Sequence, residues 1–350
     1  MTLYGQLADL SLVIDEMQLE VIETETASGF TRSTTIVSFD GDGHRGRGED
    51  VTYETEIHHQ LCNQMPEINL RAIETLDEFH QAIETVDLLD GLDPGQTIFR
   101  NYRQWAFESA ALDLALKQSG ESLADRLDQN YNPVNFVVSP SLGSPPSPEA
   151  VNEWLKLDPT HGFKLDPSDG WTDELIDELA AMNRVKILDL KGLYDDPEVG
   201  QVADFELYSK VLTSFPTAII EDPGVDPSTE ELLAAERDRI SWDYPIRGPN
   251  SIDECPWSPQ WLNIKPSRFG SVRLLLATIE RAFNRGINLY GGGQFELGIG
   301  REQLHTLASL FYPDGPNDVA PSGYNQPGYD STLPSSPLSP PENPIGLDWH

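Results

Sequence analysis

The sequence predicts an α/β protein whose central part is a closed β/α barrel, and three observations support this prediction. From about residue 134 to 311, short apolar runs alternate with helical stretches of about 10–15 residues. The runs are almost continuously apolar, which is typical of parallel strands covered by helices on both faces. About seven such units follow one another without a GxGxxG opening, which favours a closed barrel over a doubly wound sheet.

Seven apolar runs in the central region are candidate strands. In chain order they are VNFVVSPS, GFKLDPS, VKILDLKG, TAIIEDPG, RISWDYP, PQWLNIKPS and INLYGGG. All except RISWDYP are followed by a stretch with apolar residues at helical spacing, such as SVRLLLATIERAFNRG after the sixth run. The pattern therefore predicts strand–helix repeats over the whole central region.

The first 133 residues combine strand-like and helix-like sequence patterns. Residues 10–24 and 31–43 alternate apolar and polar side chains around a Gly-Asp-Gly turn, which predicts antiparallel strands. Residues 67–86 and 102–120 show helical periodicity, and the second stretch ends at Gly120, a plausible C-cap. The Gly-rich segment 41–54 is interpreted as a hairpin that acts as a lid.

From residue 312 onward the chain is rich in Pro, Gly, Ser and Asn, so long helices are excluded. The segment is either a disordered tail or an extended wrap over the first region. Its interspersed tyrosines and its final Leu-Asp-Trp-His favour the wrap.

The charge excludes some partners. The 58 acidic residues against 23 Lys and Arg give a net charge of −35, so nucleic acids and anionic membranes are excluded as partners. Acid spread along a chain with few lysines favours a surface adapted to high salt over an ordinary acidic cytosolic protein. No signal peptide or 18-residue apolar stretch is visible, so we expect a cytoplasmic protein. The two cysteines predict neither a disulfide framework nor a zinc site.

Charged residues end five consecutive apolar runs: Lys164, Asp189, Glu221, Asp243 and Lys265. Their spacings of 25, 32, 22 and 22 residues each approximate one βα repeat, so all five would reach the same barrel rim. A single acid at the end of a strand is usually solvated or caps a helix, but five charged residues in register on consecutive strands predict a functional site. Three carboxylates without His or Cys suit a hard dication, Mg²⁺ with Mn²⁺ as the alternative.

This ordered series resembles the enolase superfamily, and most closely its muconate lactonizing enzyme type. The resemblance rests on the order Lys, Asp, Glu, Asp, Lys, on the segments IIEDP and NIKPSRFG, and on WAFESAALDLAL and GGGQFELGIGR. It implies a (β/α)₇β barrel over residues 134–311. It also implies an α+β capping domain built from residues 1–133, with the segment 312–350 wrapping back on it.

The resemblance also implies an activity. Asp189, Glu221 and Asp243 would hold Mg²⁺ against a substrate carboxylate, while Lys164 and Lys265 act as bases on opposite faces. Removing the proton α to the carboxylate gives an enediolate, which leads to isomerisation, epimerisation, cycloisomerisation or elimination. We therefore expect an isomerase or lyase that acts on a small carboxylate and forms a homo-oligomer.

Two departures from the family pattern leave alternatives open. Asp166 stands where the subgroup usually has the second lysine of Lys-x-Lys, and Lys191 stands where the superfamily often has Asn. Both are candidates for substrate binding, together with Arg268, Gln294 and Glu296. The alternatives are a sugar-acid dehydratase on the same barrel and a non-catalytic metal-binding protein that kept the fold.

Overall fold

Two sheets organise the chain in the computed structural model, which describes residues 1–27, 29–64, 66–89, 97–194 and 199–349. The first is an antiparallel sheet in the order β1-β2-β3. The second has seven parallel strands in the order β10-β9-β8-β7-β6-β5-β4. A two-domain α/β architecture is therefore confirmed.

The antiparallel sheet consists of β1 (Glu16–Glu25), β2 (Thr31–Gly41) and β3 (His44–Asp50). The β2–β3 hairpin turns at Asp42 and Gly43, which both have positive φ, 48° and 78°, as a two-residue hairpin turn requires. The predicted Gly-Asp-Gly turn is thus confirmed.

Four helices complete this region: α1 (Thr55–Asn63), α2 (Leu76–Thr85), α3 (Ile98–Ser119) and α4 (Leu123–Arg126). Helix α3 ends as predicted, with Gly120 in the left-handed conformation at φ 71°. The helix predicted over residues 67–86 is shorter, because the Thr75 side chain caps α2 by accepting from the backbone N–H of Glu78. A 3₁₀ turn at Leu70–Ala72 precedes this cap.

Strand β3 lies directly on α3, and two glycines permit the contact. A Cβ built on Gly46 would lie 2.3 Å from the Ala110 carbonyl oxygen, and one on Gly48 would lie 2.0 Å from that of Ala106. The glycines of the hairpin therefore serve close packing, and a lid role for the segment 41–54 stays a prediction.

The parallel strands are β4 (Val137–Val138), β5 (Gly162–Leu165), β6 (Val185–Asp189), β7 (Ile219–Glu221), β8 (Ile240–Trp242), β9 (Trp261–Ile264) and β10 (Asn288–Gly291). The helices that accompany them are α5 (Glu149–Leu157), α6 (Asp173–Met182), α7 (Phe205–Ser214), α8 (Glu230–Ala234), α9 (Ser251–Glu254), α10 (Pro266–Phe269), α11 (Val272–Asn284) and α12 (Ile299–Phe311). Short 3₁₀ turns lie at Tyr4–Gln6, Arg237–Arg239 and Ser322–Asn325.

A short segment after α12 joins the two edges of the parallel sheet. Asn317 forms a parallel bridge with Phe136 before β4, and Asp318 forms one with Gly292 after β10. The Asn317 carbonyl accepts from Val137 N at 2.8 Å, and Asp318 N donates to Gly291 O at 2.8 Å. The curled sheet is thus bridged into a ring at one point.

The last residues contact both regions. Leu338 pairs with Val134 at the start of the barrel. Further on, Gly346 bridges Ser122 beside α4, and Leu347 N donates to the Asp113 carboxylate of α3 at 2.8 Å. The Trp349 ring packs edge-on against Tyr131, 6.2 Å between centroids.

Among the described helices, none combines the length and the apolar character that crossing a bilayer requires. Cys62 and Cys255 are both free thiols.

Candidate active site

The five charged residues of the predicted series lie at the carboxyl ends of five adjacent strands. Lys164, Asp189 and Glu221 stand at or near the ends of β5, β6 and β7, and Asp243 and Lys265 directly follow β8 and β9. All five side chains are buried. The parallel registers align Asp189 with Glu221. Neighbouring carboxyl ends of a parallel sheet share one edge, so the charged groups meet there.

Lys164 lies among three carboxylates. Its Nζ is 2.6 Å from Glu221 Oε1, 3.3 Å from Asp189 Oδ2 and 3.5 Å from Asp318 Oδ2. Burial alone would lower the pKa of Lys164, but these carboxylates hold the pKa well above its usual value. In this arrangement Lys164 neutralises the acids around it.

Glu221 is fixed from the other side by uncharged donors. The Tyr290 hydroxyl donates to Oε2 at 2.5 Å, and Asn263 Nδ2 lies 3.3 Å from both carboxylate oxygens. Burial raises the pKa of Glu221 to about 7, because Lys164 offsets only part of the desolvation and Asp189 adds negative charge. Strands β9 and β10 therefore orient an acid that β7 delivers.

Asp243 is paired with two cations. Lys265 Nζ lies 2.9 Å from Oδ2 and Arg268 Nη1 lies 3.1 Å from Oδ1. Tyr194 donates its hydroxyl to Oδ2 at 3.2 Å and accepts from Arg268 Nη2 at 3.1 Å. Burial would raise the pKa of Asp243, but Arg268 and Lys265 hold it below its usual value.

Asp222 fixes the backbone that carries Asp243. Its carboxylate accepts the backbone N–H groups of Asp243 and Tyr244, both at 2.8 Å, and it is fully buried with φ 44°. Burial, with Asp243 and Asp189 nearby, raises the pKa of Asp222 well above its usual value. The two adjacent acids of the IIEDP segment thus have different partners.

Lys191 and Asp166, the two departures from the family pattern, form a pair with each other. Lys191 Nζ lies 3.2 Å from Asp166 Oδ2 and 2.9 Å from Asp189 Oδ2. Burial would raise the pKa of Asp189, but Lys191 and Lys164 hold it below its usual value. Asp166, which directly follows β5, therefore pairs with Lys191, which lies two residues beyond the end of β6.

The site suits a hard cation in its donor chemistry. All candidate ligands are carboxylate oxygens, and Asp243 Oδ1 accepts no hydrogen bond although Arg268 Nη1 lies 3.1 Å away. The cluster contains more acids than cations. The acids are Asp166, Asp189, Glu221, Asp222, Asp243 and Asp318, and the cations are Lys164, Lys191, Lys265 and Arg268.

Within the described ranges, no three acidic, His or Cys side chains already stand in a cation-binding arrangement. The distances explain this result, since ammonium or guanidinium groups lie between the carboxylates. The residues fit Mg²⁺ by charge and donor type, and ligation by Asp189, Glu221 and Asp243 stays a prediction.

A cavity of about 1090 Å³ lies over this cluster. Of the ten residues predicted for the site, seven line it: Lys164, Asp166, Asp189, Lys191, Lys265, Arg268 and Gln294. Glu221, Asp243 and Glu296 are absent from its lining. Lys164 and Lys265 line the cavity and contact Glu221 and Asp243, respectively, so each lysine covers an acid.

The capping domain supplies part of the cavity wall. Phe30, Tyr53, Phe99 and Tyr102 come from this domain, and Trp171 and Tyr194 come from barrel loops. The space is larger than a small carboxylic acid fills, because ligand cavities of 300–1,000 Å³ hold drug-sized molecules. The cavity therefore has room for a molecule with an extended body.

Several residues of the site could not be identified from the strand ends. Asp318 lies in the Pro- and Gly-rich segment, where no apolar run marks a strand. Tyr194, Tyr53 and Arg301 line the cavity from loops and a helix, without periodic spacing. Asn263, by contrast, was predictable, because it precedes Lys265 by two residues and therefore points to the same face of β9.

Comparison with solved structures shows the fold. An enolase superfamily member from Listeria innocua is 19% identical, with a TM-score of 0.68, covering 89% of this chain and 86% of that one. Muconate lactonizing enzyme from Pseudomonas putida is 18% identical, with a TM-score of 0.68 and 96% of each chain covered. A dipeptide epimerase from Enterococcus faecalis is 17% identical, with a TM-score of 0.67, covering 96% of this chain and 99% of that one.

These similarities confirm the predicted resemblance at the level of the fold. The sequence matches none of the curated proteins. Two family models cover most of the chain: the domain of unknown function DUF8230 matches with its N-terminal domain at residues 5–126 and with its C-terminal domain at residues 130–326. The chain therefore belongs to the DUF8230 family, and it has the fold of the enolase superfamily.

Proposed function

We propose that this chain is a Mg²⁺-dependent enzyme that removes the proton α to a substrate carboxylate, as an isomerase, epimerase, cycloisomerase or lyase. The observation that carries the proposal is the convergence of Asp189, Glu221 and Asp243 from three adjacent strands. Lys164 and Lys265, from the strands on either side, contact these acids beneath one large cavity.

Asp189, Glu221 and Asp243 would hold the cation. When bound, Mg²⁺ supplies positive charge that stabilises the carboxylate as the α-proton leaves. Tyr290 and Asn263 keep the Glu221 carboxylate oriented, and Asp222 fixes the backbone that carries Asp243. The chain thus preorganises its acids before substrate arrives.

Lys265 and Lys164 are the proposed proton carriers. Lys265 directly follows β9 and Lys164 is the last but one residue of β5, with three strands between them in the sheet, so they would approach a bound substrate from different sides. Lys265 Nζ would take the α-proton on one face, and Lys164 would return a proton or stabilise the developing charge on the other.

The test is hydrogen exchange in D₂O. Dipeptides, sugar acids and N-acyl amino acids are incubated with the protein and Mg²⁺, and loss of the α-proton signal is followed by NMR. We expect exchange for at least one acid, removal of that exchange by EDTA, and loss of about 10²–10⁴-fold in rate in Lys265→Ala. Lys156→Ala is the matched control, because this exposed lysine lies on α5 away from the cavity. Exchange that persists unchanged in EDTA would refute the proposal.

Elimination is the second candidate, and one contact favours it. The Lys191–Asp166 pair lines the cavity beside Asp189, where it could protonate a leaving hydroxyl. In that case sugar acids would lose water to give keto acids, and Lys191→Met would stop the loss of water. Mg²⁺ binding without exchange of any acid would instead indicate a non-catalytic metal-binding protein.

A further inference from the structure

One arginine on the cavity wall has no carboxylate partner. Six of the described cavity-lining side chains are cationic, and five of them have a carboxylate oxygen at 2.6 to 3.3 Å: Lys164, Lys191, Lys265, Arg268 and Arg301. The sixth is Arg247, which has no acid at ion-pair distance within the part of the chain that the structure describes. Acids outnumber Lys and Arg by 58 to 23 in this chain, so the lack of an acid beside Arg247 leaves a place for a negative charge from a ligand.

The Arg247 guanidinium is supported by an aromatic ring instead of an acid. It lies 5.0 Å from the centre of the Tyr244 ring, and the Tyr194 ring lies 4.5 Å from that of Tyr244. Arg268 lies 5.6 Å from the same Tyr244 ring, but it is paired with Asp243 at 3.1 Å. An aromatic face attracts a guanidinium without using its N–H groups. The Arg247 charge is therefore held beside the candidate site without being neutralised.

The terminal nitrogens of Arg247 are the atoms that a ligand can reach. Its Nε is buried and closed off from the cavity. Within the described residues, neither Nη atom is fully buried or hydrogen-bonded. The N–H groups of the two Nη atoms lie in one plane and match the two oxygens of a single carboxylate. Arg247 can thus bind such a group end-on.

The loop between β8 and α9 fixes the position of Arg247. Its backbone N–H donates to Ser251 Oγ at 3.1 Å. Earlier in the loop, the Asp222 carboxylate accepts the backbone N–H groups of Asp243 and Tyr244, both at 2.8 Å. One buried acid therefore positions both the candidate metal ligand and the ring that supports the guanidinium. A cation fixed in this way loses little freedom when an anion binds.

The charge at this position suits a carboxylate better than a phosphate group. A carboxylate carries one negative charge, which one unpaired arginine balances. A phosphate group carries about −1.5 to −2 at pH 7. The excess would lie beside a cluster that already contains more acids than cations. Charge complementarity therefore favours a carboxylate.

We propose that Arg247 is a specificity-determining residue that binds a second carboxylate of the substrate. This inference rests on the proposed function, since that function places the first carboxylate on Mg²⁺. The residue belongs to the barrel loop after β8 and not to the capping domain. The substrate class is then an acid whose body carries a second carboxylate within reach of this loop.

The test measures binding without turnover. Three series of acids with four to eight carbons are titrated by calorimetry in Mg²⁺ buffer: fatty acids, dicarboxylic acids, and phosphono acids in which a phosphonate replaces the second carboxylate. At one chain length or more, we expect the dicarboxylic acid to bind about tenfold tighter than the matched fatty acid, the gain from hydrogen bonds between charged groups. Arg247→Gln should remove most of this gain. Arg247→Lys should remove less, because lysine keeps the charge but not the planar fork.

Arg237→Gln is the matched control. Arg237 also lies over an aromatic ring, 4.7 Å from the centre of the Trp257 ring. It precedes β8, at the end of the strand opposite to Arg247, and it does not belong to the described lining of the cavity. This variant should keep the full preference for dicarboxylic acids.

Three results would overturn the inference. Dicarboxylic acids that never bind better than fatty acids would show that no second carboxylate is bound. Phosphono acids that bind tightest would show that the site takes a more highly charged group. A preference that survives in Arg247→Gln would place the second carboxylate elsewhere.

The outcome is separable from that of the proposed reaction. A preference that is lost in Arg247→Gln, without α-hydrogen exchange of any acid, would refute only the proposed reaction. Exchange of the α-hydrogen without any preference for dicarboxylic acids would refute only the role of Arg247.

Discussion

Glu49 joins the capping domain to the barrel, and its replacement by glutamine should destabilise the fold. Its Oε1 accepts from Leu297 N at 2.6 Å and Gly298 N at 3.2 Å, and its Oε2 accepts from Gly298 N at 3.0 Å and Gly300 N at 2.8 Å. These N–H groups surround the start of α12, where a negative charge also favours the helix dipole.

Glutamine keeps one acceptor oxygen and turns an NH₂ group towards backbone donors. The two contacts of the other oxygen are lost, and each hydrogen bond to a charged acceptor contributes about 1.5–3 kcal/mol. Relief from burying the carboxylate offsets part of this loss. We therefore expect Glu49→Gln to lower the free energy of unfolding by about 3 kcal/mol.

The assay is urea unfolding at constant high salt. Burial and the neighbouring Glu296 raise the pKa of Glu49, so the comparison is made at pH 8 to favour the ionised carboxylate. Glu16→Gln, on the exposed end of β1, is the control and should change stability by less than about 0.5 kcal/mol. A Glu49→Gln loss no larger than that of the control would refute the view that this carboxylate holds the two regions together.

Three further predictions concern stability. Replacing the buried Arg103, which lies 2.9 Å from Asp50, by Met should lower the free energy of unfolding by about 3–5 kcal/mol, because the Asp50 charge is left buried without its partner. Arg45→Met breaks an exposed pair and should lower it by about 1 kcal/mol or less, so equal losses in urea unfolding would contradict this prediction. Burial would lower the pKa of His80, but its hydrogen bond to Glu108 at 2.7 Å raises the pKa. The difference in unfolding free energy between the intact chain and His80→Gln should therefore be largest below about pH 6.5 and disappear as the pH rises through the raised pKa of His80, and a pH-independent difference would refute the assignment. With a net charge of −35, the unfolding temperature should rise steeply from low salt to molar KCl, and a flat response would exclude adaptation to high salt.

The barrel and the charged series were predictable because both depend on local pattern. Apolar strands recur at the βα repeat, and the charged residues at their ends, such as Asp189 and Glu221, share one rim in any parallel barrel. Long helices such as α3 were equally clear from their spacing and from the Gly120 cap.

The remainder depends on contacts between distant parts of the chain. The single-residue bridges at Asn317 and Asp318 carry no strand pattern, so Asp318 was missed. The pairing of Asp166 with Lys191 requires the geometry of two neighbouring strands. Arg32 reaches Gln294 across 262 positions of sequence, which no periodicity reveals.

The most direct test of the central claim is Mg²⁺ binding by calorimetry, comparing the intact chain with Asp189→Asn, Glu221→Gln and Asp243→Asn. Each variant removes one anionic ligand while conserving side-chain volume, and circular dichroism verifies that the fold is kept. Asp173→Asn, an exposed acid on α6, serves as the matched control. We predict saturable Mg²⁺ binding to the intact chain and to the control, and severe loss in all three variants, because hard-cation sites depend on each carboxylate. Unchanged affinity in any of the three would contradict the proposed metal site, and unchanged affinity in all of them would remove the basis of the proposed function.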